Sequence, residues 1–202
     1  MKSDKRAARM REIEAVAYAL IAEQGFESTS MLAVAKAAKA SNQTLYRWYG
    51  DKRGLFLSMV EANTIEVRAQ LEHALSDGAD PLAALREIAP VLLAMLLDDK
   101  AVMLNRAAAS DVSGRLGQAL AAGGREQVFP LIQKLLAAAV QQGYLAPPAV
   151  GEIGTLFMHL LVGDLQIRRV IGTMPAPSEN TVRRQAACAM DQLVALCRPD
   201  GP

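Results

Sequence analysis

Residues 41–56, SNQTLYRWYGDKRGLF, carry the strongest indication of how the chain folds. The YRWY segment at 46–49 holds three aromatic residues, including the single tryptophan, in a chain that is only 4% aromatic. Ser41 is a good N-cap, because its side-chain oxygen can accept a hydrogen bond from the first helical turn. The stretch therefore predicts a short helix that begins at Asn42 and ends at the Gly50-Asp51 pair, where Asp51 can cap the next helix.

A second short helix is predicted immediately before this one. MLAVAKAAK at 31–39 follows Thr29 and Ser30, either of which is a suitable N-cap. Only Ala40-Ser41, or thereabouts, separates the two helices. Two short helices joined this closely are typical of a helix-turn-helix, whose second helix lies in the major groove of DNA.

The first turn of the second helix is expected to contact base edges. Asn42 and Gln43 can each form two hydrogen bonds with an adenine edge, and Thr44 can contact a thymine methyl group. Leu45 is expected to face inward as the packing residue. These three polar residues are therefore the predicted base-reading set.

The next side chains are predicted to hold the DNA backbone. Tyr46, Arg47 and Trp48 carry O–H or N–H groups that can donate to phosphate oxygens. Tyr49 is expected to turn inward as an anchor, and Lys52 lies near the positive end of the fourth helix, a favourable position for another phosphate. The alternative is an aromatic cluster that only packs the head, with Arg47 in solvent; Trp48 fits either interpretation.

The rest of the chain is also predicted to be helical. Gly25 is placed to end the first helix, and Asp80-Pro81 supplies an N-cap followed by proline at the first helical position. Pro90 should kink or split the helix that follows. The last two helices are expected at 149–172 and 181–197. No runs of strand-like alternation bounded by turns occur.

These patterns predict an all-α protein of about nine helices. Its N-terminal domain, residues 1–53, is a three-helix, helix-turn-helix DNA-binding head. Its second domain, residues 54–202, is a larger helical body.

The charge of the chain is unevenly distributed. Residues 1–53 contain ten Lys or Arg and six Asp or Glu, whereas the remainder contains twelve and fifteen, giving net charges of +4 and −3. A basic head suggests a polyanionic partner. No apolar run is long enough to span a bilayer, and the N-terminus lacks the apolar stretch of a signal peptide, so we expect a soluble cytoplasmic protein.

The two cysteines and the absence of enzyme motifs complete this description. Cys188 and Cys197 would lie half a turn out of phase and about 13 Å apart on one helix, too far for a disulfide. Structural thiols are the simpler interpretation and a redox sensor the other. The sequence contains no Glu-x-x-His, phosphate loop, zinc-spaced cysteine pair or GxSxG motif. We predict no catalytic residues, metal site or cofactor.

Residues 13–56, IEAVAYALIAEQGFESTSMLAVAKAAKASNQTLYRWYGDKRGLF, closely resemble the DNA-binding head of the TetR family of transcriptional regulators. The matching features are Gly25-Phe26, Thr29-Ser30, S-x-x-TLY and the aromatic-x-x-K-x-x-L-F ending. Residues 81–170 resemble the AefR-type C-terminal domain of that family.

The sequence departs from the family pattern at two positions. Gly50 stands where many relatives carry proline, and Lys39 stands where the family usually has glycine in the turn. A lysine in a left-handed conformation costs on the order of 1 kcal/mol relative to glycine, so Lys39 is expected either to stay helical or to gain a phosphate contact. Lys39 and Ser30 complete the set of predicted DNA contacts.

The resemblance implies that residues 54–202 bind a small molecule. Ligand binding would move the fourth helix, change the spacing of two heads and release the DNA. An apolar, methionine-rich set of residues would suit a hydrophobic effector. The candidate ligand contacts, each of which has core packing or surface exposure as its alternative role, are Met59, Asn63, Met95, Met103, Arg106, Phe157 and His159.

The last two predicted helices are expected to form a homodimer interface. LFMHLLVG at 156–163 is apolar on almost every side, so both of its sides should be covered. Dimerisation would present two heads to half-sites about 34–36 Å apart. The stripe predicted to pack on a partner helix across a two-fold axis consists of Ala186, Ala189, Met190 and Leu193.

The functional prediction is a homodimeric transcriptional regulator, a repressor released from its DNA operator by a small hydrophobic effector. The alternative is a protein that organises or occludes DNA without responding to a ligand. Binding at many sites would distinguish that alternative from a local regulator.

Overall fold

The computed structural model describes residues 2–149 and 151–199 and is all-helical over these ranges, as predicted. Residues 1, 150 and 200–202 lie outside the described ranges. The predicted domain limits at Met1 and Pro202, and position 150 of the helix expected at 149–172, therefore fall on residues that the structure does not describe. The helices are α1 (Lys2–Ser28), α2 (Met31–Ala37), α3 (Asn42–Tyr49), α4 (Lys52–Ser76), α5 (Pro81–Leu97), α6 (Asp99–Ser110), α7 (Arg115–Leu120), α8 (Glu126–Gln141), α9 (Ile153–Val162), α10 (Leu165–Val170) and α11 (Glu179–Leu196). A π-helical segment, Ala121–Arg125, joins α7 to α8.

The chain divides into two compact units. The first runs to Asn63 and also includes Met103–Gly124, and the second comprises Thr64–Val102 and the chain from Arg125 onward. The first unit therefore contains, besides α1–α3, the first half of α4, most of α6 and all of α7. We call Met103–Gly124 the middle segment. The division predicted at residue 53 assigns this segment to the body instead.

The core of the first unit joins residues that are far apart in the sequence. Ile13 of α1, Leu45 of α3 and Phe56 of α4 are fully buried in one apolar cluster. The middle segment adds Leu104, Ala107, Leu116 and Ala119 to the same cluster. The helix-turn-helix therefore shares its apolar core with α6 and α7 as well as with its neighbours in the chain.

Helices α5, α8, α9 and α11 form the second unit's core. Leu92 and Leu93 of α5 and Ile132 of α8 are buried there, together with Phe157 of α9. Asp80 caps α5 by accepting hydrogen bonds from the amides of the first turn, at 2.8 and 3.2 Å. The helix is continuous through Pro90, so the proline does not split it.

The stripe predicted to pack on a partner helix has a different role in the structure. Ala186, Ala189, Met190 and Leu193 are each at most 1% exposed, and they pack into the core of their own chain. The prediction that this stripe meets a second copy is wrong, because α5 and α9 already cover this face of α11. A small-and-large apolar stripe indicates close packing, whether the covering helix belongs to the same chain or another.

The helix expected at 149–172 is two helices. Gly163 separates α9 from α10 with φ 48°, a conformation that residues with a side chain rarely adopt. The break lets α10 take its own direction and bring Arg169 onto the junction between α5 and α6.

Both cysteines are free, in agreement with the prediction that they do not pair. Cys188 is exposed, and burial raises the pKa of the Cys197 thiol above its usual value. In the described ranges, no helix combines the length and apolarity needed to cross a bilayer.

Arg169 is a buried charge that ties α10 to the end of α5. Its Nε donates to the Leu97 carbonyl at 3.0 Å, its Nη1 to the Met174 carbonyl at 3.2 Å, and its Nη2 to Asp99 at 2.5 Å. The Arg169 side chain is only 8% exposed, whereas that of Asp99 is 83% exposed. The two carbonyl bonds therefore matter more to stability than the partly solvated ion pair.

We expect Arg169→Ala to lower the free energy of unfolding by about 2–3 kcal/mol, because it leaves the buried Leu97 carbonyl and the partly buried Met174 carbonyl without their donor. The adjacent Arg168, half exposed and 3.9 Å from Asp164, is the matched control. Arg168→Ala should cost no more than about 0.5 kcal/mol. Chemical denaturation at one fixed protein concentration measures both values, and equal losses would contradict this account of α10.

Candidate nucleic-acid interface

The helix-turn-helix is capped at both of its helix starts by serine hydroxyls. Ser30 Oγ accepts a hydrogen bond from the Ala33 amide at 3.1 Å, and Ser41 Oγ accepts one from the Thr44 amide at 3.0 Å. Both residues have extended backbone conformations, as N-caps do. Of the two caps proposed for α2, Ser30 is the one used.

One side of α3 is buried and the opposite side is open. Leu45 is fully buried and Tyr49 is 7% exposed, which confirms that both face inward. Because the two residues lie four positions apart, they occupy the same side of the helix. The outward face carries the exposed residues Asn42, Gln43, Tyr46 and Arg47.

Two further candidates lie at the edges of this outward face. Thr44 is half-buried, and its Oγ1 lies 2.8 Å from Ser41 Oγ, so its hydroxyl is engaged within the cap. Trp48 is also half-buried, and its ring packs against the core of the first unit. The guanidinium carbon of Arg6 lies 5.4 Å from the centroid of the Trp48 ring, at the distance of a cation–π contact.

Tyr49 anchors α3 as a neutral phenol. Burial, reinforced by the negative charge of Glu14, raises its pKa well above the usual tyrosine value. Glu14 is itself buried on α1 and accepts a hydrogen bond from Ser58 Oγ of α4 at 2.7 Å. The inner side of α3 therefore meets a polar link between α1 and α4 as well as apolar side chains.

The turn between α2 and α3 is left-handed at Lys39. Its φ of 49° is the only positive value at a non-glycine residue in the described part of the chain. The Ala40 amide bonds to the Ala35 carbonyl at 2.9 Å and the Lys39 amide to the Lys36 carbonyl at 3.2 Å, which together form a Schellman motif. Of the two expectations for Lys39, a helical conformation is wrong; its phosphate contact stays a prediction.

Lys52 has partners within the protein. Its Nζ donates to the Glu27 carbonyl at 3.0 Å and lies 4.3 Å from the centroid of the Phe26 ring. Desolvation of the half-buried ammonium lowers its pKa. Asp51 caps α4, as predicted, by accepting a hydrogen bond from the Gly54 amide at 2.7 Å. The lysine thus fixes α4 to the end of α1, and a phosphate would be an additional partner.

The candidate ligand contacts are divided between the two compact units. Met59, Asn63, Met103 and Arg106 belong to the first unit, and Met95, Phe157 and His159 belong to the second. Met59 and Phe157 are buried in the cores of their respective units, whereas Arg106 and His159 are exposed. Their role in binding a ligand stays a prediction.

Sequence reasoning missed the contribution of α1 to this interface. In the sequence analysis, Arg6 and Arg9 were counted only as part of the positive charge of the head. In the structure, both contact the helix-turn-helix. Their spacing of three residues, which puts them on one side of a helix, was the available signal.

Family models identify the class of protein that this arrangement defines. The model for bacterial regulatory proteins of the tetR family matches residues 13–59, and the model for the AefR-like transcriptional repressor C-terminal domain matches residues 83–197. The second match alone spans more than half of the chain. The chain belongs to the TetR family of transcriptional regulators. No curated protein matches its sequence.

Several solved structures are similar to this chain over nearly its whole length. A TetR transcriptional regulator from Agrobacterium tumefaciens is 26% identical, with 95% of each chain covered and a TM-score of 0.73. The flavonoid-responsive regulator FrrA is 26% identical, with 96% of this chain and 100% of that chain covered and a TM-score of 0.66. SmeT in its complex with triclosan is 20% identical, with 96% and 93% covered and a TM-score of 0.74, and shows a similar fold.

Proposed function

We propose that the chain is a homodimeric repressor that binds an operator through the outward face of α3 and releases it when a small hydrophobic molecule binds. The observation that carries this proposal is the division of α3 into a buried side, held by Leu45 and Tyr49, and an exposed polar side. A helix of eight residues with this division can enter a major groove without unfolding its own support.

The exposed residues suit two kinds of DNA contact. Asn42 and Gln43, in the first turn, read base edges, and Thr44 offers its methyl group to thymine because its hydroxyl is engaged with Ser41. Tyr46 and Arg47 hold phosphates. Trp48, Lys52, Lys39 and Ser30 are the remaining phosphate contacts of the proposal.

The middle segment supports a route from effector to DNA. Leu104 and Leu116 share the core of the first unit with Leu45, so displacement of α6 or α7 would disturb the core that also holds α3. The π-helical segment also approaches α4 closely: a Cβ added at Gly123 would lie 2.9 Å from Leu57 Cδ1 and 3.1 Å from Val60 Cγ1. An effector that favours a different position of these helices lowers the affinity for the operator.

The effector class is supported by the relatives. FrrA is a flavonoid-responsive regulator and SmeT has been solved with triclosan, so regulators of similar fold respond to or bind small aromatic molecules. Met95, Met103 and the other candidate ligand contacts are suited to such a molecule, because methionine side chains adapt to different apolar shapes.

The homodimer is supported by apolar side chains that are left exposed on the last helices. Ile167 of α10 and Ile171, the C-cap of that helix, are 56% and 62% exposed, and Leu196 of α11 is 62% exposed. The outer faces of the last helices, instead of the buried stripe of α11, therefore carry the proposed interface. Large exposed apolar side chains on neighbouring elements are typical of a surface that a partner covers.

The test is binding of the purified protein to the DNA that flanks its own gene, at several salt concentrations and with random DNA as competitor. We expect competitor-resistant binding to a two-fold site by a dimer. Salt-sensitive binding with no preferred site would favour the DNA-organising alternative. If neither flavonoids nor triclosan change the occupancy of a preferred site, the effector part of the proposal would be contradicted.

Gln43→Ala should change sequence preference, because the amide would no longer pair with a base edge. We expect discrimination at one or two base pairs to fall by roughly 1–3 kcal/mol each, with the other positions unaffected. Selection of bound duplexes from a library that varies each position of the site measures this. A uniform loss of affinity at every position would refute the assignment of Gln43 to base reading.

Arg47→Ala should weaken binding to all sequences together, because a phosphate contact carries no sequence information. The slope of log K against log salt should become shallower by about 1. Lys134→Ala, which removes one positive charge from the exposed surface of α8, is the matched control and should leave the slope unchanged. A changed sequence preference with an unchanged slope would show that Arg47 reads bases instead.

A further inference from the structure

Two arginines of α1 contact the helix-turn-helix, one at the turn between α2 and α3 and the other near the end of α3. Arg9 Nη2 donates to the carbonyl oxygens of Ala38, at 2.7 Å, and Lys39, at 3.1 Å. Arg6 lies over the ring of Trp48, the second-last residue of α3. Both arginines precede residue 13, where the match to the family model of the head begins.

Arg9 meets the turn at its most strained residue. Lys39 has the left-handed conformation that disfavours a side chain. The two carbonyls that accept hydrogen bonds from Arg9 belong to Ala38, the C-cap of α2, and to Lys39 itself, so both lie just beyond the helix. A guanidinium that donates to these two carbonyls restrains the peptide groups on both sides of the Lys39 Cα, and its positive charge complements the negative end of the α2 dipole. Hydrogen bonds from a charged donor are also stronger than those between neutral groups.

The position of this contact controls the start of α3. Ser41, the N-cap, follows Lys39 by two residues, and the proposed base-reading residues follow Ser41 directly. A change in the backbone at Lys39 therefore changes the direction of the first turn of α3. At the other end of the helix, Arg6 restrains Trp48.

A direct phosphate contact by Arg9 is the competing role. The guanidinium is already engaged, since Nη1 forms an ion pair with Glu12 at 2.5 Å while Nη2 bonds to the turn. The Glu12 carboxylate also offsets the positive charge that would attract a phosphate. Both observations indicate that the guanidinium of Arg9 binds the turn of the helix-turn-helix and not a DNA phosphate.

We propose that Arg6 and Arg9 are positioning residues for the recognition helix. Arg9 holds the turn in its left-handed conformation, and Arg6 holds the opposite end of α3, so the helix has its DNA-binding orientation before DNA arrives. The consequence for affinity rests on the proposed function, because it requires that α3 bind DNA.

The test compares Arg9→Ala and Arg9→Lys with Arg11→Ala, which removes the same charge from an exposed position of α1. The probe is a 30-base-pair duplex that the wild-type protein selects from a random library. Arg9→Ala should weaken binding about tenfold without changing the salt slope. Arg9→Lys, which keeps the charge but loses the planar guanidinium, should weaken it at least roughly threefold. A slope reduced by about 1, with affinity retained in Arg9→Lys, would overturn the proposal in favour of a phosphate contact.

Lys39→Gly provides a rescue that only the positioning role predicts. Glycine adopts the left-handed conformation without strain, so the turn no longer depends on Arg9. In the Lys39→Gly background, Arg9→Ala should cost less than about threefold in affinity. An undiminished tenfold loss in that background would contradict the role of Arg9 at the turn.

Amide hydrogen exchange in the free protein tests the same role without DNA. Exchange at residues 40–45 should be faster in Arg9→Ala than in the wild type and unchanged in Arg11→Ala, and Arg6→Ala should alter the fluorescence of Trp48, the only tryptophan. Circular dichroism verifies the fold of each variant; if Arg9→Ala does not fold, Arg9→Lys carries the comparison. Unchanged exchange refutes the positioning role, whereas failure of the wild type to select any duplex refutes the proposed function instead.

Discussion

Burial of Leu45 and Tyr49 is the constraint on which the candidate DNA surface depends. The two residues share one side of α3, and their burial fixes which residues point outward. A helix of eight residues has too few internal hydrogen bonds to be stable alone. Its orientation must therefore come from tertiary contacts, and the chemistry of its outer face is useful only because those contacts hold it in one rotation about its axis.

The support for α3 reaches well beyond the helix-turn-helix. Leu104 and Leu116, more than fifty residues further along the chain, lie in the same cluster as Leu45. The DNA-binding unit is therefore discontinuous in sequence, and a segment of the expected sensor domain forms part of its core. In the proposed function, an effector that rearranges α6 or α7 would disturb the core that these helices share with α3, because close-packed side chains cannot move independently.

The sequence predicted the features that depend on neighbouring residues. The caps at Ser41, Asp51 and Asp80 were predictable because an N-cap and its amides lie within three residues, and the inward side of α3 followed from helical spacing. Features that depend on distant partners were not predictable. The apolar stripe on α11 predicted correctly that this side of the helix is buried. Apolar spacing alone does not indicate whether the burying helix is α5 of the same chain or a helix of a second copy. The contacts of Arg9 with the turn and of Arg169 with Leu97 span 29 and 72 residues, and charge alone did not distinguish them from solvated arginines.

Lys39 has a backbone conformation that is unfavourable for a residue with a side chain, so contacts with other parts of the protein must offset its cost. Its left-handed conformation costs on the order of 1–2 kcal/mol, whereas a hydrogen bond from a charged donor contributes roughly 1.5–3 kcal/mol. One such bond from Arg9 is enough to offset the strain, and Arg9 makes two in this region. A glycine would remove the strain but also the positive charge at the base of the recognition helix, where a polyanion is expected. The left-handed turn at Lys39 is therefore held both by the Schellman hydrogen bonds of α2 and by the guanidinium that α1 supplies.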